Sequence, residues 1–333
     1  MSASSAVDAA IPSQKDFEAA KARIAPHLIE TPVATWPGRE LFQSLDPKTD
    51  VVVKLELFQR GGSFKPRGAM NVALTLSEGE RKRGFTCVSA GNHAIAVSLA
   101  ASLLGTTAKV VMPKTANPFR VAAAKSYGAE VMLMDSIADA FAKVEEISRT
   151  DGRTFIHPFE GKQTFAGAGT LGLEFLKQAG PLDAIIVPVG GGGLIAGVAA
   201  AVKQLSPRTK VYGVEPDGAR GMSDSLAAGQ ALPKVEVKTI ADSLGPPKHF
   251  PLSFGLVQRF VDDTVTVSDD DMIRCMGLFL RDMKLAVEPA PAAGVAALIG
   301  PLRDRLVGKR VGLVCCGANI DPATFMGLLA RAV

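Results

Sequence analysis

The sequence predicts an α/β protein made of two open parallel-sheet domains. Three observations carry that expectation: a regular strand–helix alternation from Phe85 to Pro158, a second alternation from Thr170 to Cys316, and four consecutive glycines, Gly190, Gly191, Gly192 and Gly193, between a strand and a helix. Repeated βα units need crossover connections, which produce parallel strands with right-handed crossings. A chain of 333 residues has room for about two such domains.

The elements follow in order. Met1 to Gln14, rich in Ala and Ser, reads as a disordered start. Ser13 and Asp16 then resemble a capped helix start, and Phe17, Ala20 and Ile24 keep helical spacing until Thr31-Pro32. Residues 51–57 read as a strand, and Gly61-Gly62-Ser63 turns the chain into a helix that begins at Lys65 and runs to Leu76. The first alternation places strands at 86–89, 109–112, 130–134 and 154–157, with helices at 94–104, 118–127 and 138–148 between them. The second has helix 170–178, strand 184–189, helix 194–205, strand 210–215, a loop-rich span to Pro251, helix 269–283 and strand 312–316. The chain stops soon after that strand, so no appended regulatory domain is expected.

Composition excludes several function classes. With 47% hydrophobic and 21% charged residues the chain is an ordinary water-soluble protein rather than a disordered or fibrous one. The net charge of +4 is dispersed, with no basic run to mark a nucleic-acid surface. Cys87, Cys275, Cys315 and Cys316 lack metal-binding spacing and read as reduced thiols of a cytoplasmic protein. No secretory leader pattern stands out, and no apolar stretch reaches the roughly 18 residues that suggest a membrane span.

The chemistry sits in three turns. At 190–193, glycines let backbone N–H groups converge on an anion at a helix N-terminus, which makes a phosphate cradle. The bland alternative, a tight turn needing positive φ, accounts for two glycines more easily than four. Gly191, Gly193 and Ala196, with Glu215 ending the next strand, also fit a dinucleotide fingerprint, so a nicotinamide-dependent oxidoreductase is the rival reading. Lys65 sits at the second turn, where an amine can serve as nucleophile toward a cofactor aldehyde; alone, it would be a solvated surface lysine. The third turn, Ser89-Ala90-Gly91-Asn92-His93, opens a helix whose N–H groups suit a carboxylate, although a plain capped helix explains it equally well.

Taken together, Ser63-Phe64-Lys65-Pro66-Arg67-Gly68-Ala69, Ser89-Ala90-Gly91-Asn92-His93, Gly190-Gly191-Gly192-Gly193-Leu194, Val287-Glu288-Pro289-Ala290 and Cys316-Gly317-Ala318-Asn319 resemble the fold-type II pyridoxal-phosphate family of serine/threonine dehydratases and serine racemases, over residues 15–325. The resemblance implies a tryptophan-synthase-β-like pair of domains, 1–83 with 159–333 as the large one and 84–158 as a small mobile one, with the cofactor between them. It implies that Lys65 carries pyridoxal 5'-phosphate as a Schiff base, that Phe64 backs the ring, and that Asn92 bonds the ring hydroxyl. Gly190, Gly191, Gly192, Gly193 and Leu194 would hold the phosphate, Glu288 and Cys316 would line the ring, and Ser89, Ala90, Gly91, Asn92 and His93 would receive the substrate carboxylate. A homodimer is expected.

Departures from the family pattern sharpen this. Racemases have a second serine where Ala90 stands; Ala90 cannot transfer a proton, so elimination with Lys65 as the single base is favoured. At Cys316 the family has Ser or Thr, and a neutral thiol likewise leaves the ring nitrogen unprotonated, which suits loss of a β-leaving group over transamination. Glu215 and Ala219 match a cation site of some relatives, but Gly221 replaces its acidic member, so no metal is expected. The segment 241–249, Pro291 and Ala168 also diverge, which puts serine and threonine in doubt as substrates and leaves Lys248 or His249 as possible contacts to a second polar group. The leading expectation is an ammonia-lyase that dehydrates a 3-hydroxy amino acid to a 2-oxo acid. A racemase, a β-replacement enzyme and a catalytically silent amino-acid-binding module are the alternatives beside the oxidoreductase.

Overall fold

A computed structural model describes residues 3–331. Among these, ten strands form two sheets: β1 (Val33–Thr35), β2 (Asp50–Leu55), β3 (Phe85–Val88), β4 (Ala108–Pro113), β5 (Glu130–Met134), β6 (Thr154–Phe155), β7 (Ala184–Pro188), β8 (Lys210–Pro216), β9 (Asp263–Val267) and β10 (Arg310–Cys315). The larger sheet runs β1-β2-β10-β7-β8-β9 and the smaller β5-β4-β3-β6. Every pairing is parallel except that of β1 with β2 at one edge. No helix among the described residues is long and apolar enough to cross a membrane.

Helices cover both faces of the larger sheet, so its central strands are continuous apolar runs rather than alternating ones. All five residues of β7, Ala-Ile-Ile-Val-Pro, are buried, as are five of the six in β10. In register, β10 sets Val311 against Val51 of β2 and Leu313 against Ile186 of β7. This fixes the functional geometry. The chain leaves the larger sheet after β2, builds the smaller one, and returns at β7, so the carboxyl ends of β7 and β10 open toward those of β3, β4 and β6. Ligand crevices of open α/β sheets lie at such ends.

Behind this crevice lies a buried network of four charges. Arg67 binds Glu56 in bidentate fashion, Nε to Oε2 at 2.7 Å and Nη2 to Oε1 at 2.9 Å, and reaches both oxygens of Glu174 at 2.9 and 2.6 Å. Lys54 Nζ donates to Glu174 at 3.0 Å, to the Thr31 carbonyl at 2.6 Å and to Gln178 at 2.9 Å. Burial raises the Glu174 carboxyl, but Arg67 and Lys54 outweigh it and hold the group below its ordinary range. The network ties β2, the Lys65–Thr75 helix and the Lys162–Ala179 helix together two residues from Lys65.

The structure departs from the sequence expectations at several elements. Ala3–Ala10 is a helix, with Val7 lying against Gly255 on the Pro251–Phe260 helix, where the start was expected to be disordered. Eight residues cannot hold a helix alone, and tertiary packing decides here. Met1, Ser2, Ala332 and Val333 lie outside the described residues. The helix expected at 170–178 begins at Lys162, because Gly167 and Gly169, poor helix formers, let neighbouring backbones approach. Pro289–Ile299 is a helix in which Pro289 and Pro291 occupy the first turn, where a missing N–H has no intrahelical carbonyl to lose. Edge strand β9, Asp-Thr-Val-Thr-Val, and the short β1 were not anticipated.

Removing one member of the buried network leaves the opposite charges unpaired, which costs about 3–5 kcal/mol. Glu174→Ala should therefore shift the urea unfolding midpoint strongly downward, whereas Glu78→Ala, whose ion pair with Lys82 is exposed, should leave it nearly unchanged.

Candidate active site

Lys65 begins its helix directly after a turn that only glycines make easily, since Gly61 and Gly62 have φ of +79° and +72°. The turn is stitched to the end of β10: Phe64 N donates to the Cys316 carbonyl at 3.0 Å and Ala318 N to the Gly62 carbonyl at 2.9 Å. Lys65 Nζ donates to the Pro158 carbonyl at 2.7 Å and stands 5.2 Å from the Phe64 ring centre. Burial lowers its pKa to about 8, against the raising influence of Cys316 and Glu288, so the neutral amine is accessible under mild conditions.

The strand–glycine–helix turn lies beside it. Phe64, Lys65, Asn92, Glu288, Cys316 and residues 190–194 line one narrow cavity. Only Gly192 has positive φ, at +89°. The other glycines answer to close approach: a Cβ on Gly190 would stand 2.8 Å from the Ser243 carbonyl oxygen, on Gly191 2.3 Å from the Phe159 ring, and on Gly193 2.7 Å from Phe159 Cα. The first N–H groups of the Gly193–Leu205 helix have no carbonyl partner within it. A side-chain-free cradle at a helix N-terminus, next to an amine of lowered pKa, fits a phosphorylated aldehyde.

A larger cleft of about 500 Å³ adjoins this cavity and shares Lys65, Asn92, Phe159, Gly191 and Ser243 with it. Residues 89–93 form part of its wall, with Gly91 preceding the Asn92–Leu103 helix. Ser89 Oγ accepts from Gly91 N at 3.1 Å. The Asn92 amide is held on both sides, Nδ2 donating to Glu288 at 2.8 Å and Oδ1 accepting from Asn319 at 2.7 Å. His93 lines the cleft, but its Nε2 donates to the Ile156 carbonyl at 2.8 Å, and burial, reinforced by the charge of Lys65, lowers its pKa to about 3. Burial also raises Glu288 to about 7 and drives the Cys316 thiol well above its usual value, so that thiol is neutral.

Arg120 and Phe159 went unrecognised in the sequence, and Ser243 was marked only as part of the divergent 241–249 segment. Phe159 follows the carboxyl end of β6, a position that could have marked it. Nothing in the sequence marks Arg120. It is buried, reaches from the Pro118–Ser126 helix of the smaller sheet to Asp242 at 2.5 Å, to the Asn319 carbonyl at 2.9 Å and to Glu288 at 3.5 Å, and so spans the cleft. Lys248 does not line the cleft; its Nζ lies over the Phe250 and Phe141 rings at 4.7 and 5.2 Å.

Glu215 is not displayed for a ribose. Its carboxylate accepts from Met222 N at 2.8 Å, and from Ser223 N at 2.7 Å and Ser223 Oγ at 2.6 Å, at the start of the Gly221–Ala228 helix. Among the described residues no group of three or more His, Cys, Asp or Glu is arranged to hold a metal ion.

An amine at the head of one helix, a glycine cradle at the head of another, and a cleft shared by two parallel sheets define a pyridoxal-phosphate enzyme of the open α/β kind. Residues 24–317 match the family described as "Pyridoxal-phosphate dependent enzyme". The chain is 51% identical to a phenylserine dehydratase of Ralstonia pickettii, over 84% of this chain and 86% of that protein. It is 38% identical to a catabolic L-threonine dehydratase of Escherichia coli (strain K12), over 92% of each. The solved structure of maize serine racemase superposes with a TM-score of 0.88 at 34% identity, covering 96% of this chain and 98% of that one. The chain belongs to the fold-type II pyridoxal-phosphate family of serine/threonine dehydratases and racemases, and its cofactor is pyridoxal phosphate.

Two expectations follow. Because the neutral amine is the nucleophile, apo-protein should take up pyridoxal phosphate at a rate that rises with pH and levels off above an apparent pKa near 8; a rise continuing past pH 10 would show an unperturbed lysine. His93 and His249 are buried and neutral, with pKa values of about 3 and 4 set first by burial, against an ordinary 6.5. Their contribution to stability is complete above pH 6.5 and lost as the pH falls toward those values, about 2 kcal/mol for each at pH 5. Chemical unfolding at pH 7 and pH 5 measures it, and His249→Phe should shrink the difference by about 2 kcal/mol while leaving the share of His93 in place.

Proposed function

We propose that the protein is a pyridoxal-phosphate-dependent ammonia-lyase that removes the β-hydroxyl of a 3-hydroxy amino acid and releases a 2-oxo acid and ammonia. One observation carries the reading: among the described residues Lys65 is the only lysine lining these two cavities, and Ala90, which lines the larger one with it, has no proton to give. A racemase needs a proton-transferring group on each face of the α-carbon, so a single base favours elimination. Relatives named for phenylserine and threonine dehydration support the same reaction class.

When bound, the cofactor withdraws electrons from the α-carbon of an amino acid held through its amine. The residues supply the rest. N–H groups of the 89–93 loop at the start of the Asn92–Leu103 helix receive the substrate carboxylate, which orients the α-proton toward Lys65. Lys65 Nζ takes that proton and returns one to the departing β-hydroxyl, which leaves as water, and the released enamine tautomerises and is hydrolysed by a second water to the 2-oxo acid and ammonia. Residues 190–194 hold the phosphate, and Asn92, Glu288, Phe64 and Cys316 fix the ring. Residues 84–158 act as the small domain that closes over the substrate against 1–83 and 159–333, with Arg120 bridging the two. The reading includes a cytoplasmic homodimer; all four cysteines are free, which is in keeping with a reducing compartment. Light scattering at twice the chain mass checks the assembly.

Turnover of a 3-hydroxy amino acid should yield 2-oxo acid and ammonia in equal amounts. Lys65→Ala should lower kcat at least about 1,000-fold while leaving the fold intact by circular dichroism. Chiral analysis that finds inversion of the α-carbon without 2-oxo acid would replace this reading with racemisation.

A further inference from the structure

The outer part of the cleft points to a substrate class. Resting on the dehydratase reading, we propose that Phe141, Val237, Pro246 and Pro247 form a side-chain subsite that selects 3-hydroxy amino acids bearing an aromatic or bulky apolar group on Cβ.

These four residues line the cleft together with Lys65 and the 89–93 loop, and none of them lines the narrow cavity at the glycine turn. Phe141 comes from the Ile137–Asp151 helix that follows β5, and the others from the loop-rich stretch after β8, so the wall is assembled from both sides. The loop side is built rather than slack. Val235 N donates to the Pro247 carbonyl at 2.8 Å and His249 N to the Leu232 carbonyl at 2.9 Å, which pairs the two segments. Val237 packs on Gly245, where a Cβ would come within 2.5 Å of Val237 Cγ1. Two adjacent prolines offer no N–H to a ligand. Val237 nevertheless remains 42% exposed, an apolar side chain facing a cleft of about 500 Å³. Exposed apolar surface in a concave site favours an apolar occupant.

The charges argue in the same direction. A substrate with a second carboxylate on Cβ needs a cation in this region. Arg120 is committed to Asp242, Glu288 and the Asn319 carbonyl, and Lys248 stands off the cleft over Phe141 and Phe250. Asp135, also on the lining, is paired with the exposed Lys114, so neither supplies a free charge to the cleft. A hydroxymethyl or hydroxyethyl side chain offers this apolar wall little surface to cover. A phenyl ring on Cβ covers it without demanding a polar partner.

The test compares kcat/KM of the holoenzyme for 2-oxo acid release from 3-phenylserine, threonine and 3-hydroxyaspartate. The aryl substrate should lead by at least about tenfold, the range one misfitted group commands. Phe141→Ala and Val237→Asp should each lower kcat/KM for 3-phenylserine about tenfold or more, chiefly through KM, and change that for threonine by less than about threefold. Preference for threonine or 3-hydroxyaspartate, or equal losses on all three substrates, would overturn the subsite. A separate arm reads binding of phenylalanine, alanine and aspartate from the visible spectrum of the bound cofactor. These lack a β-hydroxyl, so the arm tests the subsite even if no substrate is dehydrated and the reaction assignment alone fails. Phenylalanine should bind at least about tenfold tighter than the other two; equal or weaker binding would overturn the proposal.

Discussion

The arrangement depends on a neutral quartet of buried charges, Lys54, Glu56, Arg67 and Glu174. None of them is tolerable alone in such surroundings, and each oxygen and guanidinium edge finds its partner only when β2, the Lys65–Thr75 helix and the Lys162–Ala179 helix meet in one relation. Hydrophobic packing tolerates small slides; a bidentate fork does not. The position of the Lys65 backbone is therefore set from behind, by a lock two residues along its own helix.

From the front, the site is set by the convergence of strand ends. The glycine turn follows β7, Cys316 follows β10, Ser89 follows β3 and Pro158 follows β6, and all line the same crevice. Lys65 and Glu288 share a poorly solvated space, and burial pulls the amine down and the acid up toward neutrality. Arg120 tempers the acid by lying beside it, while its bonds to Asp242 and Asn319 join elements of the two sheets.

Much of this was legible in the sequence, because parallel strands buried on both faces announce themselves as short apolar runs and glycine turns interrupt them at fixed places. Both domains' alternation, the glycine cradle, and Lys65 at the head of a helix follow from local pattern. What escaped was decided by distant contacts. The 162–169 stretch looks too rich in glycine to be helical, yet those glycines admit neighbouring helices. Pro289–Ile299 is buried all round, so it has no polar face and no 3.6-residue period to detect. Arg120 resembles any surface arginine until the fold encloses it. Glu215 matched a dinucleotide pattern by spacing, but its oxygens are consumed by the next helix start, which no spacing rule can anticipate.

The wall formed by Phe141, Val237, Pro246 and Pro247 shares no residue with the elements that hold the charge quartet, and none of its members lines the narrow cavity at the glycine cradle. On the proposed reading, substitutions in that wall alter which side chain is received without replacing a residue that lines the glycine cradle. A scaffold so divided can acquire new diets by exchanging a few loop side chains, and inherits its reaction unchanged each time.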